Sequence, residues 1–226
     1  MRTNRVICRP KTSGLDRDAF RPRLVIMVKE PRAGRTKTRL ARTLGAARAA
    51  CIYRAMMASL VARLSRDTRW QTVLAISPDE ALAQPVFGGV TRRIGQGRGD
   101  LGHRLQSLCA RMPPGPIVIV GTDIPGITSS AIASAFRALG GNDAVVGPSS
   151  DGGYWLVGLK RRPGVEHVFR NVRWSTAHAL ADTQANLRGR RVAQIAIMDD
   201  VDDGADFAGL KHLIGRRVLP PHSDPT

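Results

Sequence analysis

Four short segments carry the residue types that phosphate and metal chemistry needs. The first is Lys29-Glu-Pro-Arg-Ala-Gly-Arg-Thr-Lys-Thr-Arg-Leu40. Gly34 lets backbone amides approach a phosphate closely, while Lys37 and Arg39 supply charge, Arg as a planar fork and Lys as a point charge. Lys29 adds a further cation at the start of the segment. The spacing is not that of a Walker loop, and an exposed basic turn would have the same composition. The second segment, Gly95-Gln-Gly-Arg-Gly-Asp-Leu-Gly-His-Arg104, places four glycines within eight positions. Its Gln96, Gly99, Asp100, Leu101 and Gly102 could lie against a nucleotide, or form a plain flexible loop ahead of a helix.

The third segment is Gly121-Thr-Asp-Ile-Pro125, which ends a continuous β-branched run. Asp123 there is suited to bind magnesium or manganese held against phosphate oxygens. The competing role, capping the helix that follows, is already filled by Thr128 or Ser129. The fourth is Asp199-Asp-Val-Asp-Asp203, a concentration of acid in a basic chain. Two carboxylates about 4 Å apart repel by roughly 1 kcal/mol in water and about 4 at an effective dielectric of 20, so in a cleft they call for a cation. Asp200 or Asp202 is the candidate metal ligand, whereas Asp199 and Asp203 fit an exposed loop. Beside these, Asp151-Gly152-Gly153-Tyr154 could offer a carboxylate and open backbone to an acceptor, or make a tight turn before a strand. Trp174 and Ser175 could line the same pocket, or serve as a buried ring and a helix cap. The five His show no pairing with Ser or Cys that would make a nucleophilic triad.

The elements that must position these residues alternate between apolar runs and helical patterns, the sign of parallel strands joined by helices. Strands are predicted at 24–28, 72–76, 116–120, 144–147, 154–159 and 192–198. A helix over 45–66 buries Ile52, Met56, Leu60 and Leu64 on one side. A second begins after Thr128 and ends at Gly140-Gly141, and a third covers 176–188. In open α/β sheets ligands gather beyond the carboxyl ends of the strands, and that is where the four segments fall. The fold class is therefore α/β, a single-domain three-layer α/β/α with a mostly parallel central sheet.

Composition narrows the partners. The net charge of +17 points to polyanions. Residues 1–23 hold seven Arg or Lys against Asp16 and Asp18, and the rest of the excess is dispersed Arg without interleaved aromatics. A nucleic-acid surface is accordingly disfavoured against a small nucleotide. Three widely spaced Cys indicate neither disulfides nor structural zinc, which suits a reduced cytoplasm. No segment approaches the ~20 apolar residues of a membrane span. Residues 1–22 read as a flexible basic extension, 23–213 as the domain, and 214–226 as a flexible tail.

Taken in order, Lys-Thr-Arg-Leu at 37–40, Gly-Asp-Leu-Gly at 99–102, Gly-Thr-Asp-Ile-Pro at 121–125, Gly-Pro-Ser-Ser-Asp-Gly-Gly-Tyr at 147–154, Trp174-Ser175 and Asp200-Val-Asp202 resemble a small bacterial transferase family. That family has the GT-A glycosyltransferase fold and is often labelled radical-SAM/selenodomain-associated transferase. It is similar in fold to the guanylyltransferases that finish the molybdenum and deazaflavin cofactors. The resemblance implies a nucleoside di- or triphosphate held over the first loop by a divalent ion. It assigns Asp123 to the metal, with Asp202 or Asp200 as second ligand, Lys37 and Arg39 to phosphates, residues 99–102 to the nucleotide, and Asp151 to Tyr154 to the acceptor. Lys37, Asp123 and Asp151 are thereby the catalytic candidates.

The single acid of Gly-Thr-Asp-Ile-Pro departs from the Asp-x-Asp of many glycosyltransferases, and the first loop lacks the Gly-x-Gly-x-x-Arg of typical nucleotidyltransferases. Glycosyl transfer from a nucleoside diphosphate sugar to a small acceptor is the leading expectation. Nucleotidyl transfer to a phosphorylated acceptor is the alternative, and a non-catalytic, basic nucleic-acid-binding protein is the third.

Overall fold

The runs of Val, Ile and Leu that stop at polar loops pair into one sheet. The computed structural model describes residues 20–87, 89–90, 92–161 and 167–199. Strands β1 (Arg23–Lys29), β2 (Gln71–Ser77), β3 (Arg93–Gly95), β4 (Ile117–Val120), β5 (Ala144–Pro148), β6 (Tyr154–Leu159) and β7 (Val192–Gln194) form a seven-stranded sheet. Its order is β3-β2-β1-β4-β6-β5-β7. Strand β6 runs antiparallel to β4 and β5, and the other pairings are parallel. The helices are α1 (Thr38–Leu44), α2 (Ala46–Ser65), α3 (Leu101–Arg111), α4 (Ser129–Gly141) and α5 (Ala179–Asn186).

The two-residue period of a strand divides the core between the faces of the sheet. Leu24, Ile26 and Val28 of β1 pack with Tyr53, Met57, Leu60 and Leu64 of α2 and with Ile132, Ala135 and Leu139 of α4. Val25 points the other way, into a cluster with Leu105 and Leu108 of α3 and Phe169. Fully burying one such Leu contributes about 1.5–3 kcal/mol, so each helix is held mainly by its apolar face. Thr128 caps α4 by accepting the Ala131 N–H at 3.2 Å, as its sequence position predicts.

Departures from the sequence reading have local causes. Strand β3 is only three residues long and begins with Arg93, whose guanidinium donates to the carbonyls of Leu82, Gln84 and Val90. So short a run carries no period to detect. The strand expected over 192–198 leaves the ladder after Gln194, although the Ile195 and Met198 N–H groups still donate to Val146 and Pro148 carbonyls. Helix α5 starts at Ala179 because residues 176–178 form a turn, in which the Thr176 hydroxyl donates to the Arg173 carbonyl and accepts the His178 N–H. At the amino end, residues 20–22 are already docked: the Pro22 carbonyl accepts the Gln71 N–H, and Arg21 donates to the Thr68 carbonyl. Asp200, Asp202, Asp203 and the tail 214–226 lie outside the described residues.

Candidate active site

Strands β1 and β4 are parallel neighbours, so their carboxyl ends open on the same side of the sheet. The segments that leave them, residues 30–37 and 121–128, enclose a cavity of about 530 Å³. Lys29, Arg35, Lys37 and Arg104 line it, and Asp123 is the one acidic lining residue among those described. Beside it lies a second cavity of about 230 Å³, lined by Asp123, Asp151, Gly153, Trp155, Trp174 and Ser175 among others. No Lys or Arg lines this one among the described residues. The two share Leu101, Gly121, Asp123, Tyr154, Trp155 and Ser175, so they meet over the Asp123 carboxylate.

At that junction the Lys37 ammonium sits 2.8 Å from Asp123 Oδ1. The Lys37 side chain is 5% exposed and that of Asp123 53%. Lys37 is aimed there by a left-handed backbone, φ 49 and ψ 52, just before α1. Such a conformation in a non-glycine residue costs of order 1 kcal/mol and clusters at functional sites. Ser175, which touches both cavities, has the same unusual sign of φ.

The Asp123 loop is fixed from beneath. Tyr53, on the buried side of α2, accepts the Lys29 N–H at 2.9 Å, and its hydroxyl lies 3.0 Å from Thr122 Oγ1. Burial pushes the Tyr53 phenol up to about 12, so it stays a neutral hydrogen-bonding group. Arg63, farther along α2, donates to the Pro125 carbonyl at 2.6 Å. Gln96, only 3% exposed, donates both amide protons, to the Val28 and Ala75 carbonyls, and pins the ends of β1 and β2 beneath the cavity floor.

Of the predicted residues, Lys29, Lys37, Gln96, Leu101, Asp123, Tyr154 and Ser175 line the larger cavity. Asp151, Gly153 and Trp174 line the smaller one. Others have different work. Asp100 is the N-cap of α3, accepting the His103 N–H at 2.8 Å, and that bond with the His103 ring holds its carboxyl below the usual range. Gly99 lies outside both cavities with φ 96. Gly102 packs α3 against the 167–174 segment: a Cβ there would come within 2.6 Å of the Phe169 carbonyl. Gly34 and Arg39 are exposed and off the lining, Arg39 because the phase of α1 is set by Leu40, which is buried. Gly152, at φ 81, lets the hairpin between β5 and β6 meet the backbone of Ala177.

Sequence reasoning missed Arg35 and Arg104 as lining cations, although both stand in the segments singled out. It missed Tyr53 and Trp155 as well. A signal for Tyr53 existed: a phenol on the apolar face of a buried helix needs a polar partner.

A magnesium-like ion needs one or two carboxylates, substrate phosphates and water. The half-exposed Asp123 carboxylate fits, and the Lys37 ammonium shows that its Oδ1 position already receives positive charge. Among the described residues no group of three His, Cys, Asp or Glu converges, so the remaining ligands would come from the substrate or from the segment that follows Asp199. Asp199 itself accepts the Ser150 N–H at 2.8 Å, which ties residue 199 to the hairpin that carries Asp151. No helix among the described residues is long and apolar enough to cross a membrane.

Residues 60–176 match a family described as an uncharacterized protein conserved in bacteria, DUF2064. No curated protein matches the chain. Among solved structures, a protein of Desulfovibrio desulfuricans G20, provisionally assigned as a nucleotide-diphospho-sugar transferase, is 25% identical. Its TM-score is 0.76, over 86% of this chain and 97% of that one. Rv0371c of Mycobacterium tuberculosis H37Rv, solved in complex with manganese, is 20% identical at a TM-score of 0.51, covering 84% and 97%. A CMP:2-keto-3-deoxy-manno-octonic acid synthetase complexed with CTP is 12% identical at 0.55, covering 86% and 98%. The last two are likenesses of fold. The shared architecture is that of nucleotide-diphospho-sugar transferases.

Proposed function

The chain belongs to this bacterial family, and from that premise we propose that it is a transferase that uses an activated nucleotide, most simply a nucleoside diphosphate sugar. The observation that carries the reading is the pair of joined cavities of opposite character that meet at Asp123. The diphosphate would lie in the larger one, among Lys29, Arg35, Lys37 and Arg104, with Leu101 against the nucleoside. A divalent ion at Asp123, further held by Asp200 or Asp202, would neutralise charge on the leaving diphosphate. The acceptor would occupy the smaller cavity, between Asp151 and the rings of Trp174 and Tyr154.

Asp151 takes the acceptor's proton in this scheme, its Oδ1 oriented by the Gly153 N–H at 2.9 Å. The acceptor oxygen attacks the anomeric carbon, the bond from that carbon to the phosphate oxygen breaks, and nucleoside diphosphate leaves. Lys37 stabilises the charge that develops on it. Cys51 and Cys109 are free thiols, in keeping with work in a reducing cytoplasm.

One observation favours a second reading, nucleotidyl transfer with release of pyrophosphate. Four cationic side chains around the larger cavity match the charge of a triphosphate. Against it, a phosphorylated acceptor would find no cation in the smaller cavity among the described residues. The test is incubation with a panel of nucleoside triphosphates and nucleotide sugars plus magnesium, comparing wild type with Asp123→Asn. Metal-dependent release of nucleoside diphosphate supports glycosyl transfer, and pyrophosphate supports nucleotidyl transfer. Release of neither, together with a gel shift of nucleic acid that survives Asp123→Asn, would replace both with a binding protein.

A further inference from the structure

Resting on the assignment of Asp123 to a divalent ion, we infer that Lys37 is an internal placeholder cation, so that the site admits the complex of metal with a diphosphate and takes neither component well alone. The inference starts from the 2.8 Å ion pair between Lys37 Nζ and Asp123 Oδ1, in which the lysine side chain is almost wholly enclosed and the carboxylate is half open. A metal ion that arrives alone competes with the ammonium for the same oxygen. If it wins, the enclosed Lys37 ammonium gives up that ion pair and faces a divalent charge of its own sign, which is costly. A diphosphate that arrives alone can draw Lys37 away, but then leaves the Asp123 carboxylate facing phosphate oxygens, an encounter of like charges. When both arrive, each group exchanges that ion pair for a new contact: the carboxylate takes the metal, and the ammonium takes a phosphate oxygen.

The neighbouring charges reinforce this exchange. Lys29, Arg35 and Arg104 line the same cavity and favour a diphosphate there, while they disfavour a lone divalent cation. Positive coupling between metal and diphosphate is reciprocal by thermodynamic linkage, and couplings of this kind amount to roughly 5- to 150-fold. Lys37 thus selects the form in which the donor enters, in addition to touching its phosphates.

The probes are Mn2+ and inorganic pyrophosphate, which avoid any assumption about base or sugar. Mn2+ binding is read by the loss of the free-ion spin-resonance signal, without nucleotide, for wild type, Lys37→Met, Lys37→Gln, Asp123→Asn and the double variant Lys37→Met with Asp123→Asn. Thermal melts of wild type with Mn2+, with pyrophosphate and with both accompany it. Both Lys37 variants are expected to bind Mn2+ alone about tenfold more tightly than wild type, and the gain disappears in the double variant. Wild type is expected to gain melting temperature with both ligands beyond the sum of their separate effects. Equal Mn2+ affinity in wild type and both Lys37 variants overturns the placeholder role; if Asp123→Asn still weakens it, the functional reading survives. A gain that persists in the double variant places the metal elsewhere and removes both.

Discussion

The two cavities that meet at Asp123 are built from different kinds of structure. The larger is framed by segments leaving parallel strands β1 and β4, and its cations come from long side chains, Lys29, Arg35, Lys37 and Arg104. The smaller is framed by the β5–β6 hairpin and the turn before α5, and it is walled by Trp155, Trp174 and Tyr154. Its geometry depends on backbone contact: the Leu180 N–H donates to the Gly152 carbonyl at 3.1 Å, and Trp174 packs on Tyr154 with ring centroids 6.2 Å apart. Charge carried on long side chains suits a ligand recognised by its phosphates, whereas aromatic walls suit one recognised by shape. Substitutions of the cations of the first region should therefore change affinity with little change in stability, and substitutions in the second should change both.

The junction itself should respond most strongly. Asp123→Asn keeps an oxygen that can accept a hydrogen bond from Lys37, so the variant is expected to melt in a single transition. Transfer activity is expected to fall roughly 100- to 1,000-fold, the scale seen when one group that stabilises developing charge is removed. A nucleotide-release assay beside a thermal melt checks both. Retention of full activity would separate the cavities from the chemistry.

Gly152→Ala attacks only the smaller cavity. The added Cβ would lie 2.3 Å from the Ala177 carbonyl oxygen, and φ 81 disfavours any side chain. A loss of about 1–3 kcal/mol is expected from urea denaturation. The nucleotide-induced rise in melting temperature should persist while transfer to an acceptor falls. If nucleotide binding falls equally, the cavities act as one.

The same contrast governs what the sequence discloses. Strands β1, β2, β4 and β6 are legible because continuous apolar runs mark strands covered on both faces. Asp123, Asp151 and Lys37 are legible as cavity-lining residues because they follow or join such runs. The Gly95–Arg104 segment is legible only in part: Gln96 and Leu101 line the larger cavity, but glycine marks tight backbone without saying what approaches it. Gly102 meets the Phe169 carbonyl, and Asp100 meets its own helix. The antiparallel insertion of β6 between β4 and β5 also leaves no trace in periodicity, since pairing partners are a long-range choice.

Tyr53→Phe tests the support beneath the larger cavity. It removes the acceptor of the Lys29 N–H and the partner of Thr122. Buried polar groups left without partners cost about 1–3 kcal/mol, read by urea denaturation. The phenol also has a pH signature. Its folded value, about 12, lies above the ordinary tyrosine value of 10.0, so its contribution is intact below pH 10 and is lost as pH rises toward 12. The decline of stability over that window should be shallower in Tyr53→Phe. Tyr154, whose phenol burial also raises, supplies a second component that persists.

Arg35 and Arg39 give the smallest and sharpest comparison, since they are four positions apart and both exposed, yet only Arg35 lines the cavity. A charge-assisted hydrogen bond contributes about 1.5–3 kcal/mol, and solvent around Arg35 favours the lower figure. At about 1.4 kcal/mol per tenfold, Arg35→Ala should weaken nucleotide diphosphate binding roughly tenfold in calorimetric titration. Arg39→Ala should leave it within about twofold, because α1 directs that side chain away while Leu40 enters the core. The reverse ranking would mean that α1 turns when ligand binds, bringing Arg39 over the phosphates, and the larger cavity would then be shaped by its occupant.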